Sequence, residues 1–476
     1  MKSQTATTAG TLSHADAPSV ARTGWMLFLF GTLTAALFAF VIYPRQGAID
    51  AVIDVNGFGS LARRIANGEG FSLGYGPTMR RAPLYPAFAA LLMLPFGTQG
   101  PPAEVYRPVI AGQCLIFGLS CVVCWTIARK LFGPRAGLIA GILCAITPQT
   151  LRYVGMTEVE TMMGLFIALM ALTGLNFARE TTFKNAVWFG MACAGASLLK
   201  AVALLYPFVF AALLAVRWWR TRKTAASADT TSQDRTRPHP LAAAGVALAV
   251  YALCLAPWCI RNYIVSGGQF KSISTNGPGE FLRGYVMAQP KYVFLQKDFG
   301  GHESDMIWDV EANLVEDAIL RRYGLSMFSQ ERRGPNGEPL PLEPRIDNEV
   351  RKDRAEAAEV KRLLREEPAG FVRKFAMQFF SFWYVVETRK KSLIVGAIAL
   401  IYLSLAIFGC VRARRAGIDT APVYSVVLYF NVIYAAILAF ARYSMPVYPT
   451  LIALTAIGLA QLLPARLREP QTRRNL

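Results

Sequence analysis

The feature that most constrains this chain is a repeated run of about 20 mostly apolar residues, long enough as a helix to cross ~30 Å of hydrocarbon. The composition agrees, with 54% hydrophobic and only 17% charged residues. A cytosolic globular enzyme and a disordered or fibrous chain are thereby excluded. The sequence predicts an all-α polytopic membrane protein with about ten transmembrane helices, at roughly 25–43, 105–128, 136–150, 157–178, 185–199, 201–219, 241–258, 391–411, 421–440 and 443–463.

The regions between and around these segments suggest the domain organisation. Residues 1–23 and 464–476 are polar and are predicted to be cytoplasmic tails, the first of them disordered, on either side of one polytopic domain at 24–463. The first outer loop, 44–104, carries a juxtamembrane helix and an apolar stretch at 84–97 that suits a half-length helix. A second, charged outer loop is predicted at 259–390, and a disordered cytoplasmic linker at 220–240.

The positive charges indicate the orientation. The net charge is +19, and Lys and Arg concentrate in alternate short loops, around 129–135, 179–184, 217–237 and 412–415. Such residues favour the cytoplasmic side. We therefore predict a multi-pass membrane protein with both termini cytoplasmic and both long loops outside, in the periplasm or its equivalent; the resemblance described below implies that the membrane is a bacterial inner membrane. Because the charge has this explanation, it predicts membrane lipids as partners and no nucleic acid.

The metal-binding residue types show no useful pattern. Eight cysteines are scattered, several of them in apolar segments, and the CxxC pair Cys121 and Cys124 lies inside a predicted span, where free Cys packs as a small hydrophobic residue. The three histidines are too dispersed for a zinc site. The sequence predicts neither a metal site nor redox chemistry.

Two sets of acidic residues lie at the predicted outer edge of the membrane. Asp54 precedes a helix whose apolar face begins at Phe58, so it is either a helix N-cap or a functional carboxylate at the membrane boundary. Glu158 and Glu160 lie where the next span begins, where the helix dipole alone would favour anions. Since residues two apart do not share a helix face, we expect only one, Glu158, to face a shared site.

Cations at the same edge are candidates for binding a lipid phosphate: Arg81, Lys200, Arg261 and Arg442. For Arg81 and Lys200, snorkelling of the side chain to the interface is an equal alternative. Near them lie the polar residues Tyr85, Asn262, Asn276 and Tyr443, which the resemblance described below makes candidates for sugar, acceptor or loop contacts. Asn276 belongs to an Asn-Gly-Pro-Gly turn, whose backbone N–H groups could hold a phosphate or a sugar hydroxyl.

Six motifs in order resemble the GT-C glycosyltransferase superfamily, in particular bacterial relatives of protein O-mannosyltransferases and of the lipid A aminoarabinose transferase. They are Asp54-xxx-Phe58-xx-Leu61-Ala62 with the following Gly68-x-Gly70-Phe71, Arg81-Ala-Pro83-Leu-Tyr85-Pro86, Thr157-Glu158, Pro257-Trp258-xx-Arg261-Asn262-Tyr263, Ser274-Thr275-Asn276-Gly277 and Arg442-Tyr443-xx-Pro446. The resemblance covers most of 25–463 and is weakest in 298–390. Phe58 stands where Tyr is more usual.

The resemblance implies a function. Such proteins transfer a sugar from a polyprenyl-phosphate donor to an acceptor outside the cytoplasm, here a lipid, glycan or protein of the cell envelope. Asp54 would be the catalytic carboxylate and Glu158 the second acidic position. The family often has a second acid directly after the Asp, but this chain has Val55, so transfer without a metal or other cofactor is expected.

The residues agree with that chemistry, because sugar transfer requires a base for the acceptor hydroxyl and cations for the leaving phosphate. No P-loop and no Rossmann fingerprint is present. Two alternatives remain. A transporter or flippase of lipid-linked sugar would also be polytopic, but it should show internal repeats and broken helices near the midplane. A non-catalytic glycan-assembly subunit is the other.

Overall fold

The computed structural model describes residues 17–43, 54, 56–73, 76–225, 239–288, 315–325, 332–333, 339–340, 345–386 and 389–462. Residues 1–16 of the predicted N-terminal tail, the predicted C-terminal tail, most of the 220–240 linker and part of each long loop lie outside these described residues. Residues 17–23, predicted to belong to a disordered tail, lie in the Ala17–Leu37 helix. Among the residues singled out from the sequence, Val55 falls outside them as well.

Helices dominate the described residues, which confirms the all-α class. The N-terminal half contains Ala17–Leu37 with a π-helical continuation Phe38–Ile42, then Phe58–Ala66, Leu84–Met93, Pro102–Val105, Arg107–Phe132, Pro134–Ile146, Pro148–Leu151, Glu160–Arg179, Phe183–Leu199, the 3₁₀ turn Ala201–Ala203, Tyr206–Ala225 and Pro240–Val265. The C-terminal half contains Gly277–Met287, Arg345–Glu366, Pro368–Tyr384, Arg389–Arg415, Ala421–Ile437, Ala441–Ser444, the 3₁₀ turn Met445–Val447 and Tyr448–Leu462. One antiparallel pair of two-residue strands, Arg332–Arg333 and Pro339–Leu340, interrupts the second outer loop.

All ten predicted spans fall on helices. Seven helical segments of the described chain are long and apolar enough to cross a membrane: Ser19–Ile42, Pro102–Phe132, Glu160–Arg179, Ala201–Arg220, Pro240–Val265, Lys390–Arg415 and Ala441–Leu462. The predicted spans at 136–150, 185–199 and 421–440 fall on helices of 13, 17 and 17 residues. These three are shorter than the roughly 20 residues that a perpendicular crossing takes.

A sharp reversal between two of these helices depends on a glycine. Gly133 separates the Arg107–Phe132 helix from the Pro134–Ile146 helix and has φ 92° and ψ 178°. Residues with a Cβ rarely adopt this backbone conformation. Pro134 then fixes φ for the first residue of the next helix, where its missing N–H costs nothing. The two helices therefore pack side by side as an antiparallel pair.

The C-terminal helix Tyr448–Leu462 forms the centre of the bundle, since every side chain from Tyr448 to Gly458 is buried. It crosses the Arg389–Arg415 helix at two glycines. A Cβ added at Gly458 would lie 2.1 Å from the carbonyl oxygen of Leu405, and one added at Gly409 would lie 2.7 Å from that of Leu454. Small residues at such a crossing let two membrane helices approach backbone to backbone.

At the end of the bundle away from the candidate residues, arginines join neighbouring helices. The Arg179 guanidinium donates a hydrogen bond to the carbonyl oxygen of Lys130, so the ends of two long helices meet there. At the same level Arg217 forms an ion pair with Asp419, between the Tyr206–Ala225 helix and the residues that precede the Ala421–Ile437 helix. The candidate residues predicted from the sequence belong to the opposite ends of the same helices.

The second outer loop packs over that opposite end. The Glu349 carboxylate, on the Arg345–Glu366 helix, accepts hydrogen bonds from the Thr78 hydroxyl at 2.6 Å and the Met79 backbone N–H at 2.8 Å. Met79 is fully buried against Ile346 and Val350 of that helix. The two outer loops, far apart in sequence, therefore form one cover over the bundle.

Candidate active site

A cavity of about 720 Å³ lies under this cover. Its walls come from the first outer loop, the turn after the Phe183–Leu199 helix, the segment 270–287, one residue of the covering helix and the ends of helices around 433–445. One part of the wall is cationic, with Arg80, Arg81, Arg152, Lys200, Arg283 and Arg442. Another part is apolar and includes Leu204, Leu205, Ile433, Ile437 and Leu438. A ligand with a phosphate and a hydrocarbon chain matches this division.

Arg442 connects two carboxylates at the base of the cationic wall. Its Nη2 donates to Glu158 Oε2 at 2.8 Å and its Nε donates to Glu160 Oε1 at 2.8 Å. Lys200 Nζ donates to the same Glu160 oxygen at 3.2 Å. The two glutamates are only 1% and 3% exposed. Because charges at such depth are stable only when they are paired, these contacts fix the cations in place.

Asn56 extends this arrangement to Arg81. Its Nδ2 donates to Glu158 Oε1 at 2.8 Å, while Arg81 Nη2 donates to the Asn56 backbone oxygen at 3.1 Å and to its Oδ1 at 3.4 Å. The Arg81 guanidinium also lies 5.1 Å from the centre of the Phe58 ring, a cation–π contact. We call the six residues Arg81, Asn56, Glu158, Arg442, Glu160 and Lys200 the ionic network.

The structure differs from the expectation that only one of the two glutamates faces a shared site. Glu158 precedes the helix, which begins at Glu160. The helical rule that separates residues two apart therefore does not apply to this pair. Both carboxylates turn toward Arg442, and Glu160 also binds Lys200.

Arg81 is the cation of the ionic network that has no carboxylate partner. No described carboxylate lies within ion-pair distance of it, and its donors bind only the oxygens of Asn56. Loss of hydration, followed by the neighbouring Arg80, lowers the pKa of Arg81 to about 10. Burial raises the pKa of Glu158 above its ordinary range, although Arg442 acts in the opposite direction. The ionic network therefore has a cation ready for an external anion.

Asp54 caps a helix. Its two carboxylate oxygens accept hydrogen bonds from the Gly59 and Ser60 backbone N–H groups, both at 2.7 Å, and the Ser60 hydroxyl donates to it at 2.8 Å. The Tyr106 hydroxyl lies 3.4 Å away. The capping alternative thus describes the geometry, and Asp54 is not among the residues that line the cavity. Its catalytic role stays a prediction.

Arg261 and Asn262 serve a different part of the molecule. Arg261 donates to the carbonyl oxygens of Thr78 and Phe71 at 2.7 and 3.2 Å. Asn262 Nδ2 donates to the carbonyl oxygens of Ser272 and Ile273 at 2.8 and 3.1 Å. The Arg261 bonds join the two predicted outer loops, whereas the Asn262 bonds lie within the second of them. Neither side chain lines the cavity. Their predicted contacts with donor phosphate and substrate stay predictions.

Of the remaining candidates, Tyr85 supports the position of Glu158 and the other two line the cavity. The Tyr85 hydroxyl donates to Gln113 Oε1 at 3.0 Å, and Gln113 in turn holds the turn that leads to Glu158. Asn276 and Tyr443 line the cavity. Lys200 Nζ lies 5.0 Å from the centre of the Tyr443 ring, so this tyrosine supports the cationic wall.

The sequence analysis missed Asn56, which lies two residues after Asp54 and joins Arg81 to Glu158. It also missed Tyr153, whose ring lies 5.1 Å from the Arg442 guanidinium. Tyr153 stood in the short outer turn next to Arg152, so its position on the predicted membrane face was the available signal. Among the described residues no group of three or more His, Cys, Asp or Glu side chains is placed to hold a metal ion.

Comparison with known proteins gives the class to which the fold corresponds. Residues 80–230 match the family model described as dolichyl-phosphate-mannose-protein mannosyltransferase. This range contains four members of the ionic network, from Arg81 to Lys200. No curated protein sequence matches the chain significantly.

Solved structures match the fold over most of the chain. The Archaeoglobus fulgidus oligosaccharyltransferase in its apo form has a TM-score of 0.52 at 13% identity, covering 92% of this chain and 50% of that one. The same organism's oligosaccharyltransferase AglB, in complex with an inhibitory peptide and a dolichol-phosphate, has a TM-score of 0.50 at 13% identity, with the same coverage. ArnT from Cupriavidus metallidurans, bound to undecaprenyl phosphate, has a TM-score of 0.34 at 13% identity, covering 93% and 78%.

The family-model match and the two oligosaccharyltransferase matches confirm the predicted resemblance to GT-C membrane glycosyltransferases. The protein is a multi-pass membrane protein with a GT-C-like fold, and its residues 80–230 match the mannosyltransferase family model. The chain spans about half the length of the solved oligosaccharyltransferases that it matches.

Proposed function

We propose that this protein is a membrane glycosyltransferase that moves a sugar from a polyprenyl-phosphate donor to an acceptor of the cell envelope. The observation that carries the proposal is Arg81, a desolvated guanidinium on the cavity wall with no described carboxylate partner. An unpaired cation in such a place is costly unless an anion joins it. Lys200 and Arg442 line the same cavity, and their glutamate partners already balance their charge.

The apolar part of the cavity wall supports a lipid-linked donor. Leu205 is 56% exposed, and it and Leu204 follow Lys200 by five and four residues in the chain. A lipid that approaches from the membrane would place its phosphate at the cations and its chain along these residues. Donor supply within the bilayer also explains why the sequence carries no soluble nucleotide fingerprint.

The charge of the two ends of the bundle supports an active site on the outer, periplasmic face of a bacterial inner membrane. The helix ends that carry Lys130, Arg179 and Arg217 lie opposite the cavity. Because positive residues in short loops favour the cytoplasm, the cavity end faces outward. With an even number of crossings, both termini would lie in the cytoplasm.

In the proposed reaction the acceptor oxygen attacks the anomeric carbon of the sugar and the bond from that carbon to the phosphate oxygen breaks. The electron pair leaves with the phosphate, whose added negative charge Arg81, Lys200 and Arg442 stabilise. Asp54 takes the acceptor proton. Its Oδ2 already accepts two hydrogen bonds from Ser60, but Oδ1 accepts only the one from the Gly59 N–H, so Oδ1 has an acceptor site left for a further donor. With Val55 in place of a second acid, we propose transfer without a metal.

The test is a transfer assay with purified protein in lipid nanodiscs. A panel of radiolabelled polyprenyl-phosphate sugars is incubated with cell-envelope lipids, glycans and proteins, and labelled products are counted. We expect transfer from at least one donor, and loss of transfer in Arg81→Gln. The matched control is Arg64→Gln, because Arg64 is an exposed first-loop arginine whose partner is Glu69.

Three outcomes would contradict the proposal. If no donor in the panel yields product while labelled lipid crosses the bilayer, the protein is a transporter. If labelled lipid neither transfers its sugar nor crosses the bilayer in the presence of donor and acceptor, the result favours a non-catalytic assembly subunit. If Arg81→Gln and Arg64→Gln transfer sugar equally well, Arg81 does not bind the donor phosphate.

A further inference from the structure

Glu280 is a cavity carboxylate that the proposed reaction does not use. It lies in the first turn of the Gly277–Met287 helix and lines the cavity with Arg81 and Tyr443. Its Oε1 accepts a hydrogen bond from Asn276 Nδ2 at 2.8 Å. Its Oε2 is inaccessible to solvent yet has no hydrogen-bond donor among the described residues. A polar atom in this state requires an explanation, because buried polar groups are normally satisfied.

The surroundings of Glu280 hold its backbone in one position. Gly279 packs so closely against the covering helix that an added Cβ would lie 2.8 Å from Glu356 Oε2. The helix N-terminus favours the negative charge of Glu280. Glu280 lines the same cavity as Arg81 and Tyr443, so it belongs to the site that contains the phosphate-binding cations.

The chemistry of a carboxylate limits what it can bind there. An ionised carboxylate accepts hydrogen bonds and donates none, and it repels a phosphate. The part of the ligand next to Glu280 must therefore carry hydrogen-bond donors. In a polyprenyl-phosphate sugar, the group bonded to the phosphate is the sugar ring with its hydroxyl or amino substituents.

We propose that Glu280 is a sugar-specificity residue: when the donor binds, the Glu280 carboxylate turns toward the cavity and its Oε2, which has no donor among the described residues, accepts a hydrogen bond from a hydroxyl or amino group of the sugar, while Arg81 and its neighbours hold the phosphate. This inference rests on the proposed function. It divides the donor between two sets of residues, with the phosphate at the cationic wall and the sugar at the Gly277–Met287 helix. Loss of the Glu280 charge should weaken recognition of the sugar and leave recognition of the phosphate unchanged.

The experiment compares two ligands, polyprenyl phosphate without a sugar and the sugar-bearing donor identified by the transfer assay. Binding of each is measured in nanodiscs for the wild type, Glu280→Gln and Arg81→Gln. Glutamine keeps the shape of the side chain and an oxygen for Asn276. We expect Glu280→Gln to bind the sugar-bearing donor roughly tenfold more weakly, the usual order for a lost charged hydrogen bond, and to bind polyprenyl phosphate normally. Arg81→Gln should bind both ligands more weakly.

Glu69→Gln, which alters an exposed first-loop carboxylate outside the cavity, is the control for charge removal. The inference is overturned if Glu280→Gln binds both ligands like the wild type, even when its transfer rate falls, since the residue would then act on the reaction or on the acceptor. Equal weakening for both ligands overturns it as well. If the wild type binds neither ligand, the proposed function itself fails. A sugar-selective defect in Asp353→Asn in place of Glu280→Gln would move the assignment to that other cavity carboxylate.

Discussion

Replacement by methionine should change stability little at Arg81 and reduce it strongly at Arg442, because only Arg442 is paired with carboxylates. The pKa of Arg81 is lowered from 12.5 to about 10. A shift of this size corresponds to about 3 kcal/mol of penalty on the charged form. Against it stand two hydrogen bonds to Asn56, worth about 1 kcal/mol each, and a cation–π contact worth about 0.5–1 kcal/mol. The terms nearly cancel, so Arg81→Met should change stability by less than about 1 kcal/mol.

Arg442→Met removes two ion pairs of 2.8 Å and leaves Glu158 buried without a cation. Breaking a buried pair in this way costs about 3–5 kcal/mol. Thermal unfolding in nanodiscs measures both variants, with a thiol-reactive dye that reports exposure of buried cysteines such as Cys121 and Cys144.

Polyprenyl phosphate should separate the two arginines further. At 100 times its dissociation constant a ligand stabilises the folded state by about 2.7 kcal/mol. The wild type should show this gain, whereas Arg81→Met should not, although its ligand-free stability is normal. The reasoning is refuted if Arg81→Met unfolds as early as Arg442→Met, or if the lipid stabilises Arg81→Met as much as the wild type.

Asp54→Asn keeps the size and capping ability of the side chain, so we expect normal protein yield but sugar transfer slower by roughly 10²–10⁴; normal turnover would remove Asp54 from the chemistry. Gly458→Val places a side chain against the Leu405 carbonyl and should abolish the monodisperse protein peak in gel filtration, whereas Gly245→Val, with nothing within 4 Å of its Cβ, should not. Burial raises the pKa of Glu356 to about 8, above its unfolded value near 4.5, so the stability it contributes at low pH is lost as pH rises through 8. Hydrogen exchange of the Arg345–Glu366 helix, corrected for its intrinsic rate, should therefore be faster at pH 8.5 than at pH 5.5. Glu356→Gln should remove that difference, and a difference that persists in this variant would assign the effect to another group.

The sequence predicted the helices well because hydropathy is a local property. Each predicted span falls on a helix, and even the half-length helix at 84–97 appears as Leu84–Met93. The sequence also predicted that Arg81, Glu158, Lys200 and Arg442 belong to one face of the membrane, because topology alone brings alternate helix ends together. The structure places these four in a single hydrogen-bonded network.

The sequence could not predict how those residues pair. Asn56 and Glu158 are 102 positions apart, and Glu158 and Arg442 are 284 apart, so no periodicity relates them. The residue at which the helix begins could not be predicted either. The helix starts at Glu160, so Glu158 lies outside it, and the rule that residues two apart face different sides of a helix does not apply to the two glutamates. Arg261 is a further example. The sequence made it a candidate for phosphate binding, and only the tertiary structure reveals that its donors hold the two predicted outer loops together.

The charge balance of the ionic network agrees with a ligand of one negative charge. Lys200 and Arg442 are matched by Glu160 and Glu158, which leaves Arg81 as the surplus cation. A polyprenyl-phosphate sugar carries a phosphodiester with one negative charge, so donor binding would neutralise the ionic network. Transfer of the sugar gives a phosphate monoester, whose second negative charge exceeds what the ionic network balances. We therefore expect repulsion from Glu158 and Glu160 to favour release of the lipid product, whereas the single negative charge of the donor is fully balanced by Arg81.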